Sequence, residues 1–344
     1  MKNFPIEKDC VLLLTDRRTR KYASDVDVAE GFLLVGNNAT AFVDARYFYA
    51  AQKTFASVGV DCKLYKGLDD LSDFIKNLNV KKLLVDYRKT TVREYEDYKA
   101  FGLPIEDGAT VIENAMSVKS GCEIEKIKKA CSIVQKAYYS VIKDLKVGLT
   151  EIEVRDKIEK SMMDFGADGI AFETIVAFGE NSAVPHHVTG QKRLSPDTVI
   201  LIDTGCTVDG YCSDLTRTAF FGNPTKKFID CYNSVLMANA VAEQNITDGI
   251  SCKDADDFAR EYLKQKDLDK YFTHSLGHGV GLEIHEAPTL SPKSKAVLKN
   301  NMVFTVEPGV YFDGEFGIRI EDTVILKDGK VIRLFDDDKK LLIL

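Results

Sequence analysis

Long apolar runs are missing from this chain. Strings such as Val11–Leu14 and Val199–Ile202 hold four residues each, where a membrane-spanning helix needs about 20, so no membrane partner is expected. Basic runs no longer than a pair or triplet, with a formal net charge of −7, do not make the electrostatic footprint of a surface that tracks phosphates. Nucleic acid is therefore not an expected partner. The start, MKNFPIEKDC, leads into no apolar h-region and no small-residue cleavage site, so a secretory signal is not expected. The eight cysteines contain no CxxC pair, which leaves neither a zinc knuckle nor a disulfide frame. Scattered thiols of this kind read as reduced core residues of a cytoplasmic protein. Histidine is scarce as well, with five in all.

What is present is ordinary globular composition, 45% apolar and 29% charged over 344 residues, enough chain for about two domains. From Cys10 to about Asp107, β-branched and Leu runs (Val11–Leu14, Phe32–Val35, Thr40–Val43, Lys82–Val85) alternate with helical patterns (Arg46–Val58, Leu68–Leu78, Thr91–Phe101). That alternation predicts a small α/β domain over residues 1–115. The pattern lapses around Gly108–Gly121. Apolar residues from Ile124 to Leu145 then recur at spacings of three and four, and a long amphipathic helix opens a second domain over residues 116–344.

The second domain contains an internal echo. Gly148-Leu149-Thr150, with Glu153 completing a capping box, opens one helix, and Gly249-Ile250-Ser251 opens another about 100 residues later. The string VILIDTG at Val199–Gly205 returns as VFTVEPG at Val303–Gly309, and a second acid follows each, Asp214 and Glu321. Two similar halves are expected, each ending in a β-hairpin that bears two carboxylates, an expectation that competes with chance matching of short apolar strings.

Turn chemistry predicts how those acids meet. A two-residue turn at Asp209-Gly210 sets Asp214 opposite Gly205 and makes it the diagonal neighbour of Asp203 on one sheet face, with Gly205 leaving the space between them open. A three-residue loop at Asp313-Gly314-Glu315 sets Glu307 directly opposite Glu321, with Arg319 on the same face. Like charges that close in a core require a cation or strongly raised pKa values. Four carboxylates balance two divalent ions, and an oxygen-rich set favours Mn²⁺, with Co²⁺, Zn²⁺ and Fe²⁺ as alternatives. Asp203 and Glu307 could instead simply end strands before turns. His274, His278 and His285 share one Gly-rich string, HSLGHGVGLEIHE, without a helical pattern, which reads as a site loop feeding a strand.

At these residues the sequence resembles the proline-peptidase branch of the pita-bread metallopeptidases, which holds aminopeptidase P and prolidase and, more distantly, methionine aminopeptidase and creatinase. HSLGHGVGLEIHE fits the proline-peptidase signature at every restricted position, and IDTG, SDLTRT, TVEPG and GIRIEDT flank it. The match spans essentially the whole chain. The resemblance implies a creatinase-like α/β N-terminal domain followed by an α+β pita-bread catalytic domain with an internal pseudo-twofold duplication. It implies that Asp203, Asp214, His278, Glu307 and Glu321 bind two divalent metal ions, with Asp214 and Glu321 bridging, and that the chain forms a homodimer. It further implies that Glu307 moves a proton, that His186 and His285 stabilise the reacting carbonyl oxygen while His187 is a bystander, and that His274 and Arg319 line the substrate pocket.

The activity so implied is cleavage of the bond between a free N-terminal residue and a following proline. Compact length favours an Xaa-Pro aminopeptidase acting on peptides, and an Xaa-Pro dipeptidase confined to two-residue substrates is the alternative. A third reading, a catalytically inactive scaffold that binds peptides, conflicts with the retention of all five ligands, and metal content would decide it.

Overall fold

The computed structural model describes residues 1–344, which fold as two units, Met1–Met116 and Ser117–Leu344. In the first, a six-stranded sheet runs in the order Asp61–Leu64, Ala39–Val43, Gly31–Val35, Cys10–Leu14, Lys82–Val85, Ile105–Asp107. Val11, Leu13, Leu34, Phe42, Leu83 and Val85 pack against Leu71, Ile75, Tyr98 and Phe101. The four central strands are those the apolar runs predict. The outer two, DCKL and IED, are largely exposed, so as short edge strands they carry no apolar signature. Helix Arg17–Ser24 lacks one too, and its start is set by Asp16, whose carboxylate accepts from the Thr19 N–H. The three predicted helices form as Phe48–Ser57, Leu68–Asn77 and Val92–Lys99, and helix Ala109–Ser117 occupies the stretch where the pattern lapses.

The second unit opens with helix Gly121–Ile142, which stops before Leu145; that residue is buried beyond the helix end. The main sheet runs in the order Glu286–Leu290, Gly277–Gly279, Val303–Val306, Glu321–Lys327, Leu215–Phe221, Thr198–Thr204, Ile175–Phe178. Its hairpins keep the registers that the turns dictate. Thr204 lies opposite Leu215 and Val208 opposite Tyr211; Val306 lies opposite Asp322 and Gly309 opposite Arg319. The two hairpins join through Leu215 against Asp322 and Thr216 against Glu321. Phe304, Val306, Val324 and Leu326 face a core made with helices Lys226–Asn245 and Cys252–Lys264, which leaves Thr305, Glu307, Glu321 and Thr323 for the other face.

Local features recur about 100 residues apart in this unit. Thr150 closes a full capping box with Glu153, and Ser251 accepts from the Asp254 N–H. Thr150 bridges to Arg193, and Ser251 to Val297.

Gly205 departs from expectation. A Cβ there would stand 2.1 Å from the Ser213 carbonyl oxygen and 2.7 Å from the Phe172 ring, so the room left by the missing side chain is taken by the opposite backbone. The ladder breaks here, and Asp214 stands just ahead of its strand. Gly205→Ala should therefore cost on the order of 3 kcal/mol by overpacking, read by urea unfolding of chelator-treated protein. Gly249→Ala, with φ of +84° but nothing within 4 Å of the added carbon, should cost about 1 kcal/mol. A Gly205→Ala loss no larger than that of Gly249→Ala would mean that Ser213 and Phe172 yield to the added carbon.

Candidate metal centre

Five adjacent strands or strand ends deliver the five predicted ligands in sheet order: His278, Glu307, Glu321, Asp214 and Asp203. Asp214, His278 and Glu321 each place a donor atom within 4.8 Å of the others'. His278 Nε2 lies 3.5 Å from Asp214 Oδ2 and 3.5 Å from Glu307 Oε1. Its Nδ1–H donates to the Gly279 carbonyl at 3.1 Å, which leaves Nε2 as the lone-pair nitrogen facing the carboxylates. Burial, reinforced by His285, pulls the ring down to about 4. His278 is therefore neutral at pH 7.

The carboxylates are held from below by hydroxyls. Thr305 Oγ1 donates to Glu307 Oε1 at 3.1 Å and accepts from the His278 N–H, while Thr216 Oγ1 donates to Glu321 Oε2. Arg319, 4% exposed, spends every donor group nearby. Nη2 reaches Asp203 Oδ2 at 2.7 Å, Nε reaches Thr216 Oγ1 at 3.1 Å, and Nη1 reaches the Tyr311 hydroxyl at 2.7 Å. The Tyr311 O–H in turn points to His274 Nε2 at 3.0 Å, and His274 Nδ1–H donates to the Ser275 carbonyl. Buried beside Arg319, the His274 ring is pulled down to about 3. The predicted pocket residues His274 and Arg319 are thus joined, with Arg319 donating to Asp203 on one side and, through Tyr311, reaching His274 on the other.

One cation does not neutralise this set. At about 4 Å, each pair of unlike or like charges is worth on the order of 4 kcal/mol near a protein surface, so Arg319 offsets a single carboxylate. Burial and the neighbouring acids accordingly push Asp214 and Glu321 far above the carboxylate range, and burial pushes Glu307 up to about 8. Asp203 Oδ1 and Asp214 Oδ1 are buried yet accept no hydrogen bond, a costly state for a carboxylate oxygen. Divalent cations fit this donor set, because they supply the positive charge and the missing partners together.

The remaining histidines separate. His285 is exposed at its rim, with its ring centroid 4.3 Å from that of His278, and burial together with His186 lowers its pKa. His187 instead meets Glu151, whose carboxylate is fully buried and also accepts from the Phe178 and Gly190 N–H groups and the Asn181 amide. His187 thus ties the segment that carries His186 to helix Glu151–Asp164. Glu151, Thr216, Thr305 and Tyr311 were not singled out by sequence reasoning. Tyr311 and Thr216 share strand faces with Arg319 and Asp203, and that alternation could have found them.

Protonation gives the centre a pH signature. Without a cation, the folded-state pKa of Glu307 lies near 8, above its ordinary 4.5, so the stability it contributes is complete in acid and is lost as pH rises through about 8. Chelated protein should lose thermal stability from pH 5 to pH 8, and the gap to Mn²⁺-loaded protein should widen over the same interval as the ion replaces protons. A gap that is constant with pH would contradict the assignment of these carboxylates.

Comparison with known proteins identifies the family. The model for metallopeptidase family M24 matches residues 125–328. An Xaa-Pro dipeptidase of Pyrococcus furiosus is 37% identical over 91% of this chain and 89% of its own. Among solved structures, an Xaa-Pro dipeptidase from Bacillus anthracis superposes with a TM-score of 0.92 at 34% identity, covering 97% of this chain and 95% of that one. An X-Pro aminopeptidase from Thermotoga maritima superposes with a TM-score of 0.86 at 32% identity, covering 97% of both. With a family match over most of the second unit and relatives alike along nearly the full length, the chain belongs to metallopeptidase family M24.

Proposed function

We propose that this protein is a dinuclear metallo-exopeptidase that hydrolyses the Xaa-Pro bond at a free N-terminus, with Xaa-Pro dipeptides as its favoured substrates. The observation that carries the chemistry is that Asp214, His278 and Glu321 bring donor atoms within 4.8 Å of one another, with Glu307 3.5 Å from His278 and with buried oxygens of Asp203 and Asp214 left unpartnered. The dipeptide preference rests on the relatives, among which Xaa-Pro dipeptidases from Pyrococcus furiosus and Bacillus anthracis stand at 37% and 34% identity. It reverses the preference for longer peptides that compact length suggests. The Thermotoga maritima X-Pro aminopeptidase supports the second reading, removal of the first residue from longer peptides.

In this reading Asp203, Asp214, His278, Glu307 and Glu321 would hold two ions, Mn²⁺ before Co²⁺, Zn²⁺ or Fe²⁺. When bound, such ions supply Lewis acidity toward the scissile carbonyl and a water that ionises near neutral pH. Glu307 accepts the proton of the attacking water and returns it to the departing proline nitrogen. Neutral His285, with His186 beside it, donates hydrogen bonds to the carbonyl oxygen as charge develops there. Arg319 holds Asp203 in place and relays the tilt of His274 through Tyr311. The recurring caps, bridges and hairpins support a duplicated catalytic domain. For its place in the cell, the cytoplasm, the reading rests on the scattered unpaired cysteines, and for its assembly, a homodimer, it follows the resemblance.

Two experiments test it. Metal-stripped protein should be inert on Xaa-Pro, Xaa-Pro-Yaa and longer peptides, and Mn²⁺ should restore turnover with dipeptides ahead by at least tenfold in kcat/KM. Preference for the longer peptides would select the aminopeptidase reading, and full activity without metal would end both. His186→Ala and His285→Ala should each lower kcat by about 10²-fold with metal content unchanged, the size of one lost oxyanion donor. His187→Ala should instead cost about 1 kcal/mol of stability by removing one of the four hydrogen bonds to buried Glu151, with a smaller effect on kcat.

A further inference from the structure

Asn239 is a fully buried amide inside helix Lys226–Asn245, flanked in the core by Ala238 and Ala242. Asparagine is a poor helix-interior residue, and a buried amide is expensive unless its groups are paired. Its side chain crosses to the sheet. Nδ2 donates to the Val306 carbonyl at 2.8 Å and to the Ile320 carbonyl at 3.3 Å, the residues directly before Glu307 and Glu321.

The ladder shows why a donor is needed there. Between the pairs Val306 with Asp322 and Gly309 with Arg319, the register sets Pro308 against Ile320. The Ile320 N–H reaches the Pro308 carbonyl at 3.3 Å. The reciprocal bond cannot form, because proline has no N–H. The Ile320 carbonyl is thus stranded at the point where the two hairpin strands carry their carboxylates. Asn239 brings a donor to it from the helix.

The amide is oriented from its other end. Lys339 Nζ, in the C-terminal segment, donates to Asn239 Oδ1, to Asp322 Oδ2 at 2.6 Å and to both Glu243 oxygens at 3.1 Å. An ammonium has only donors, so Oδ1 must face it and Nδ2 must face the carbonyls. Lys339 itself is 6% exposed, takes a left-handed φ of +54°, and gives its carbonyl to the Tyr232 hydroxyl.

We propose that Asn239 is a positioning residue of the metal centre: its amide replaces the N–H that Pro308 lacks and so holds the backbones of Glu307 and Glu321 in register, with Lys339 setting the amide's orientation. The proposal rests on the metal reading above, and a direct binding measurement separates the two. Mn²⁺ titrated calorimetrically into chelator-stripped wild-type protein tests the reading, and wild-type protein that takes up no Mn²⁺ would overturn both.

Asn239→Leu, which preserves buried volume, should weaken Mn²⁺ binding by about tenfold or more, with the thermal midpoint of the metal-free form as the check on folding. Pro308→Ala returns an N–H to the gap, so Asn239→Leu should weaken Mn²⁺ much less in the Pro308→Ala background than alone, a coupling that loss of generic packing would not produce. Equal losses in the two backgrounds, or wild-type affinity in Asn239→Leu, would overturn the proposal. Should Asn239→Leu not fold, Asn239→Ser carries the same two-background comparison. Lys339→Met should weaken Mn²⁺ in the same direction by a smaller factor, and unchanged affinity there would remove Lys339 from the assignment.

Discussion

Mutual repulsion among carboxylates that share one buried sheet face is the constraint on which the catalytic unit depends. Asp203, Asp214, Glu307 and Glu321 come from four strands or strand ends and stand with a single arginine among them. Such a face is stable only with protons or cations in it, and the upward shifts of Asp214, Glu307 and Glu321 measure the demand. The groups nearby answer the same demand. Thr216 and Thr305 present hydroxyl protons, Arg319 presents its whole guanidinium, and His278 turns a bare nitrogen inward because its other nitrogen is tied to a carbonyl.

The alternation of a β-strand puts a second set of charges directly behind the first. Glu321 is followed by Asp322 and Thr216 by Arg217, so the reverse face meets Arg217, Asp322, Arg333, Asp337 and Lys339. Arg217 also donates to the carbonyls of Thr216 and Glu321. Here opposite charges are matched, and Asp322, beside three cations, stays ionised below the usual carboxylate range. Glu243 at the margin is pushed up to about 7 by burial and by Asp322. The contrast is physical: the rear face carries its own counter-ions, and the front face leaves that role to something bound.

Much of this was legible in sequence because hairpin geometry is local. A two-residue Asp-Gly turn and a three-residue loop set the registers, and the observed pairs Val208 with Tyr211 and Phe312 with Phe316 follow from them. Edge strands Asp61–Leu64 and Ile105–Asp107 escaped, since half-exposed polar strands lack the apolar alternation that marks a strand. The room attributed to Gly205 was misjudged for another reason. Turn rules place partners in register but do not say how closely two backbones approach once the ladder breaks.

The sequence by itself determined which residues share a strand face, because a period of two is a covalent property of extended chain, and it determined that four clustered carboxylates were rich enough in charge to call for cations. Only the tertiary structure decided how those strands stack side by side, and with it the partners contributed from far along the chain. His187 is tied to Glu151 across 36 residues, His274 reaches Arg319 through Tyr311, and Lys339 approaches Asn239 across 100. Such contacts depend on side chains meeting across elements whose relative placement no local pattern encodes, since any buried polar group can be satisfied by many partners and the fold selects one.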